Sequence, residues 1–337
     1  MSAYRDDEQI SSAHSAHVVA FGGGTGMSSL LAGLRNYVSQ ATAVVTVTDN
    51  GGSSGRLRSD YDIVPPGDIR NCLLALADID PLMREAFQYR FSEGEFRGHC
   101  LGNLVITVLT RIVGNFEDSI RELHRLLNVR GKVLPAAAGK ISLVAHHPDG
   151  TKSTGEVQIT RAGKRIQKVE LRPTPVMLSP EISDEISKAD YFVFGPGSLY
   201  TSVIPNLLVE GLMAAVNRAG KPRIYIANMM TQQGETQDYR LSDHLRALRN
   251  HVGENFPDFV LVHRGDLPAD ILERYRQEGA EPVLNDLGDS PEFRSVTVIE
   301  DNFYSGGDIL RHDPGVLARV ISRNFCVQRL TGVPEKP

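Results

Sequence analysis

The apolar positions of this chain fall into short β-branched blocks separated by helical stretches, and their order predicts an α/β fold. HVVAF (17–21) is apolar without alternation, the pattern of a strand buried on both faces. SSLLAGLRNYV (28–38) repeats its apolar residues at helical spacing, and AVVTVT (43–48) is a second buried strand. Strand, helix and strand in this order make a right-handed βαβ unit and a parallel sheet. Four helical patterns follow: DIRNCLLALA (68–77), PLMREAFQYRF (81–91), LGNLVITVLTRIV (101–113) and FEDSIRELHRLL (116–127). Asp68 and Pro81 suit helix starts. The rhythm then changes. ISLVAHH (141–147), TGEVQIT (154–160) and IQKVELR (166–172) read as short alternating strands, so residues 130–175 are expected to form a small antiparallel, β-rich insertion. Strands YFVFG (191–195), RIYIANM (223–229), FVLVHR (259–264) and SVTVIE (295–300) then alternate with helices at 206–220, 238–252 and 268–279. A helix around GVLARVISRNF (315–325) closes the pattern. The expected organisation is a polar, disordered arm over 1–15 and one α/β domain over 16–330.

Composition narrows the function classes. A length of 337 residues is enough to bury a core without disulfides. A formal net charge of −5 gives no field for a nucleic-acid backbone, so a phosphate ligand must be held by local donors. Cys72, Cys100 and Cys326 are too far apart for metal or redox spacing and suit a reducing compartment. With no signal core or spanning apolar run, the expectation is a cytoplasmic protein that inserts in no membrane.

The polar loops after the strands carry the chemistry. FGGGTGMSSL (21–30) packs Gly22, Gly23, Gly24 and Gly26 around Thr25 between a strand and a helix. Backbone amides there approach a phosphate closely, and the helix N-terminus faces it. A tight turn alone needs fewer glycines. Met27 replaces the third glycine of a dinucleotide fingerprint, and no Walker lysine follows. Asp49–Asp62 reads as a long polar loop. Within it Asp49 stands where a ribose-binding acid or the holder of a divalent cation would stand. Gly51, Gly52, Ser53 and Ser54 make a second nest, and Arg56 and Arg58 supply positive charge. Asp68 fits a helix cap, and Arg70 in the same first turn opposes the dipole, which points to an anionic partner. Asn103 reads first as a helix cap and second as a ligand amide, with His99 flanking that helix. After the later strands come Gly195, Gly197, Ser198, Tyr200, Thr201 and Ser202, then Asn228, Thr231, Gln232, Gly234, Glu235 and Thr236. Open α/β sheets bind ligands outside the carboxyl ends of their strands, so these loops share one expected edge. His146 and His147 read as surface histidines, and Ser198 lacks the setting of a nucleophile elbow.

GGGTGMSSL, TDNGGSSGRLR, PPGDIRNCL, GHCLGNL, GPGSLYTSVIPN and NMMTQQGET, in this order, resemble the hallmarks of the YvcK-like gluconeogenesis factors within the CofD-like superfamily. The resemblance runs from about residue 17 to about residue 325. It implies a Rossmann-like three-layer α/β/α fold with a mainly parallel sheet. It implies a regulator that binds UDP-sugars and is required for cell shape on gluconeogenic carbon sources, linking metabolism to peptidoglycan synthesis. The enzyme branch of the superfamily, 2-phospho-L-lactate transferase, moves a phospholactyl group from a guanosine diphosphate donor to a deazaflavin alcohol with Mg²⁺. Carried over, the Gly23–Thr25 and Gly197–Thr201 loops grip a diphosphate, while Asn228 and Thr231 to Glu235 approach the nucleoside. Asp49 matches the acidic position used near acceptor and metal; it would be catalytic only in an enzyme. Here it is followed by Asn50-Gly51-Gly52-Ser53-Ser54, the regulator-type pattern. Three readings stay open: a UDP-sugar-binding regulator, a transferase using a nucleoside-diphosphate donor and Mg²⁺, and an NAD-binding protein. The chain is expected to be a homo-oligomer, with a cell-wall regulatory protein as a further partner.

Overall fold

The computed structural model describes residues 16–326; the arm read at 1–15 lies outside them. Seven parallel strands form the main sheet: β1 (His17–Gly22), β2 (Gln40–Val45), β3 (Lys132–Pro135), β7 (Tyr191–Phe194), β8 (Arg223–Ile226), β9 (Phe259–His263) and β10 (Thr297–Asp301). Their order is β3-β2-β1-β7-β8-β9-β10. β1 is therefore where the winding reverses. Phe21 pairs with Val44 on one side and Phe194 on the other, so the carboxyl ends of β1 and β7 open side by side. This is the topological switch point, where such sheets hold ligands. Both faces of β1 are buried, as its unbroken apolar run requires.

Helices α1 (Gly24–Leu34), α2 (Gly52–Tyr61), α3 (Gly67–Leu76), α4 (Pro81–Gln88), α5 (Leu101–Val113) and α6 (Phe116–Leu126) lie between β1 and β3. α1 packs against α3 and against the closing helix Pro314–Phe325. At the latter contact, a side chain on Gly33 would run into the Pro314 carbonyl.

The insertion departs in part from its pattern. β4 (Ser142–His146), β5 (Lys152–Thr154) and β6 (Lys168–Arg172) form the antiparallel sheet, in the order β5-β4-β6. TGEVQIT, read as a strand, is instead the end of β5 and helix α7 (Glu156–Ala162). Gly155 turns the chain at φ +91°. Residues 49–62, read as a loop, contain α2. Its sequence is almost wholly polar, and it is held by burial of Ser53, Ser54 and Leu57. The helix read at 206–220 is broken. α8 (Pro180–Lys188) precedes β7, a π-helical turn at Leu199–Val203 runs into α9 (Ile204–Leu207), and Gly211 at φ +89° separates these from α10 (Leu212–Ala219). The later helices, α11 (Leu241–Val252) and α12 (Ala269–Gln277), fall where their periodicity put them. His147 is buried, not a surface residue, between the Arg165 carbonyl and Ser153 Oγ. No helix of the described residues is long and apolar enough to cross a membrane.

Candidate functional site

The site grows from the two strand ends at the switch point. β1 stops at Gly22, and Gly23 to Gly26 turn directly into α1, with Gly24 at φ +68°. The first-turn amides of α1 lack intrahelical partners and carry the positive end of its dipole. A Cβ on Gly24 would meet nothing within 4 Å, so the backbone there faces open space. A Cβ on Gly26 would lie 2.5 Å from the Pro196 carbonyl oxygen, so glycine is what lets the β1 and β7 loops touch.

A cavity of about 430 Å³ opens over this junction. The glycine turn and the Pro196–Ser198 loop form its floor, and Asn228, Thr231 and Gln232 come from the loop after β8. Met229, Met230 and Leu310 give it an apolar wall that forms a small core of its own. Ser198 Oγ accepts from Gln232 Nε2 at 3.0 Å, joining the β7 and β8 loops. Asn228 Oδ1 and Gln232 Oε1 are buried without a partner. A buried acceptor left unpaired costs about 1–3 kcal/mol, so this wall is built to meet donors.

A carboxylate cluster borders the cradle. Asp68 does not cap α3, whose N-cap is Pro66; it reaches instead to the Gly24 amide and so holds the glycine turn. Burial, then the Asp49 charge, pushes Asp68 up to about 6. Asp49 folds back onto its own loop, accepting the Gly51 amide at 2.7 Å. Glu156, at the start of α7, lines the cavity. Burial, followed by the charges of Asp49, Asp68 and Glu235, pushes it up to about 8. Sequence reasoning missed Glu156, because the segment read as a short alternating strand of the insertion. Glu235 is buried, accepts from Thr201 Oγ1 at 2.9 Å and from the Tyr200 amide at 3.3 Å, and is raised to about 7 by burial.

Other residues singled out by the sequence support this site from behind. Asn50 caps the insertion: its Oδ1 accepts from Val157 N at 3.0 Å and its Nδ2 donates to Gln158 Oε1 at 2.7 Å. Ser53 Oγ contacts His99 Nδ1 at 3.2 Å and accepts from Asn103 Nδ2 at 3.2 Å. Asn103 is not a cap, since the N-cap of α5 is Cys100; it lies buried inside the helix, its Oδ1 accepting from Arg70 Nη1 at 2.6 Å. That bond explains the misplaced cation in the first turn of α3. Ser54 Oγ packs against Gly67. Arg56 and Arg58 donate to the carbonyls of Arg97 and Ile141. Tyr200 is buried, its hydroxyl 2.9 Å from that of Tyr239, and Thr231 Oγ1 accepts from the Glu281 amide at 2.8 Å. Gly234, at φ +80°, lies against the Thr160 carbonyl, so the β8 loop touches α7. The insertion is thus bound to the loops of both halves of the sheet. Among the described residues no group of three His, Cys, Asp or Glu side chains is arranged to hold a metal by itself. Cys72, Cys100 and Cys326 are buried free thiols.

The chain is similar to known proteins over most of its length. The family model described as 2-phospho-L-lactate transferase CofD matches residues 18–304. The gluconeogenesis factor of Bacillus subtilis is 45% identical over 306 residues, covering 90% of this chain and 96% of that protein. The putative gluconeogenesis factor of Thermotoga maritima is 46% identical over 314 residues, covering 91% and 98%. A crystal structure of a UPF0052-family protein from Bacillus halodurans superposes with a TM-score of 0.88 at 46% identity, covering 91% of this chain and 99% of that one. By sequence and by fold, then, this chain belongs to the gluconeogenesis-factor family within the CofD-like superfamily.

Proposed function

We propose that the protein binds a nucleotide sugar of the UDP-sugar class in the switch-point cleft and acts as a regulator, without turnover, in the control of cell shape during gluconeogenic growth. One observation carries the binding reading. The first-turn amides of Thr25 and Gly26 border a cavity that Asn228 and Gln232 also line, and Asn228 Oδ1 and Gln232 Oε1 are buried without a partner. A ligand that carries both phosphates and N–H or O–H donors suits this combination. Among the described residues the side chain that meets Ser198 Oγ is Gln232, whose amide donates to it, not a base. This favours a binding role. Titration calorimetry with UDP-N-acetylglucosamine, UDP-glucose, GDP and NAD tests the reading; silence with both UDP-sugars refutes it, and a response to NAD alone moves the site to dinucleotides.

The carboxylate cluster favours one second reading, a transferase using a nucleoside-diphosphate donor and Mg²⁺. Mg²⁺ is commonly held by one or two carboxylates plus phosphate oxygens, and Asp49 with Asp68 beside the glycine turn fits that donor set. When bound, the cation would neutralise charge on a diphosphate leaving group. Product formation from a guanylyl phospholactate donor and a deazaflavin acceptor decides between the readings. We place the protein in the cytoplasm on the strength of its buried, unpaired cysteines. We take it to self-associate through Leu82, Met83, Val108 and Ile112, which α4 and α5 leave exposed. Light scattering of the purified chain checks this, and a monomer rejects it. A cell-wall regulatory protein would be the further partner.

A further inference from the structure

We propose that His312 is a ligand-recognition residue of the cleft, its Nε2 accepting a hydrogen bond from an N–H or O–H of the ligand beyond its phosphates. The inference rests on the nucleotide reading above and adds a residue from a different part of the chain. His312 precedes the closing helix by two positions and lines the cavity together with Met229, Met230 and Leu310. Its Nε2 is buried and without a partner. The ring donates to the Ala227 carbonyl, so in the neutral tautomer the other nitrogen, Nε2, is the one that presents a lone pair. Burial, then the neighbouring His263, holds the imidazole down at about 4, so it is neutral near pH 7.

Two alternatives fail on geometry. His263 does not satisfy the acceptor: its Nδ1 accepts the Phe303 amide at 3.2 Å, and its own Nε2 is also buried and unpaired. A metal does not do so either, since among the described residues no third ligand joins the two histidines. The ring is oriented by the Ala227 contact and by Phe303, whose centroid lies 5.8 Å away. Asn228, Gln232 and His312 all line the cavity, and each keeps one buried acceptor atom, Oδ1, Oε1 and Nε2, without a partner. A base edge or a sugar hydroxyl satisfies such a set; a phosphate does not.

The test is calorimetry of the full chain and of its His312→Ala and His312→Gln variants with pyrophosphate, UDP and UDP-N-acetylglucosamine. His312→Ala should weaken the organic ligand roughly tenfold and leave pyrophosphate affinity unchanged, while Gln, which keeps an acceptor, recovers part of the loss. A loss already present with UDP puts the donor on the nucleoside; a loss confined to UDP-N-acetylglucosamine puts it on the sugar. Equal affinities of wild type and His312→Ala overturn the assignment while leaving the nucleotide reading intact. An equal loss with pyrophosphate also overturns it, because the residue would then only shape the loop. If the wild type binds none of the nucleotides, the functional reading itself falls.

Discussion

Replacing Glu156 by Gln should stabilise the ligand-free protein at alkaline pH and flatten its stability curve. In the folded chain this carboxyl titrates at about 8 instead of 4.5, through burial first and then the charges of Asp49, Asp68 and Glu235. Between those two values the folded state keeps a proton that the unfolded state has released. The stability from that proton is fully present below about pH 4.5 and is lost as pH rises through 8. At about 1.4 kcal/mol per tenfold change, the ceiling is about 5 kcal/mol. The side chain keeps some contact with water, and screening there reduces the expected effect to about 2–3 kcal/mol. Asp68 and Glu235, at about 6 and 7, slope in the same direction, so the informative quantity is wild type minus variant. Urea unfolding at pH 5, 7 and 8.5 measures it. The two proteins should be nearly equal at pH 5 and should differ by about 2–3 kcal/mol at pH 8.5, the variant being the more stable. Curves that stay parallel across this range would refute the assignment of Glu156 as a buried, proton-holding member of the cluster.

Three further outcomes follow from the same geometry. Gly26→Ala forces a methyl group against the Pro196 carbonyl, where backbone has to move; it should destabilise by about 1–3 kcal/mol and abolish UDP-sugar binding, and calorimetry showing wild-type affinity would disconnect the loop contact from the site. Asp49→Asn keeps an acceptor for the Gly51 amide and removes a charge, so melting temperature should hold or rise slightly while magnesium-dependent binding is lost; a titration with unchanged magnesium dependence rejects Asp49 as a cation ligand. Asn50→Ala removes the cap that a distant loop gives α7 and should cost about 1 kcal/mol, read as faster hydrogen exchange over residues 156–162 with the main sheet unaffected; uniform exchange would show that the insertion does not depend on this anchor.

Much of this architecture was legible because parallel strands advertise themselves. His17–Gly22, Tyr191–Phe194 and Phe259–His263 lie close to their apolar runs, since burial on both faces leaves no polar alternation to confuse the period. What failed to read were elements whose stability comes from elsewhere in the chain. α2 contains Leu57 and little else apolar; it is a helix because Ser53 bonds to groups around α5. α7 carries β-branched residues that favour a strand locally, and a side chain from residue 50 supplies its N-terminal cap. The site divided in the same way. The glycine turn announced itself by composition, whereas Glu156 and His312 lie in segments with no local signature and reach the cavity only through tertiary packing. A lone histidine before a helix and a glutamate in a short amphipathic stretch are ordinary residues until the fold brings them together.

The charges in the cleft constrain how it works as a whole. Asp68 touches the very turn whose amides face the cavity, and Glu156 lines the same space. A diphosphate set beside carboxylates is repelled unless something positive lies between them or protons remain on the acids. Both escapes lie in the same cluster: Glu156, raised to about 8, keeps its proton near neutrality, whereas Asp68, raised to about 6, is mostly ionised there and would be met by a divalent cation. In the proposed function, ligand, cation and proton would meet at one point, which the insertion borders by placing Glu156 there and by contacting the loops after β2 and β8.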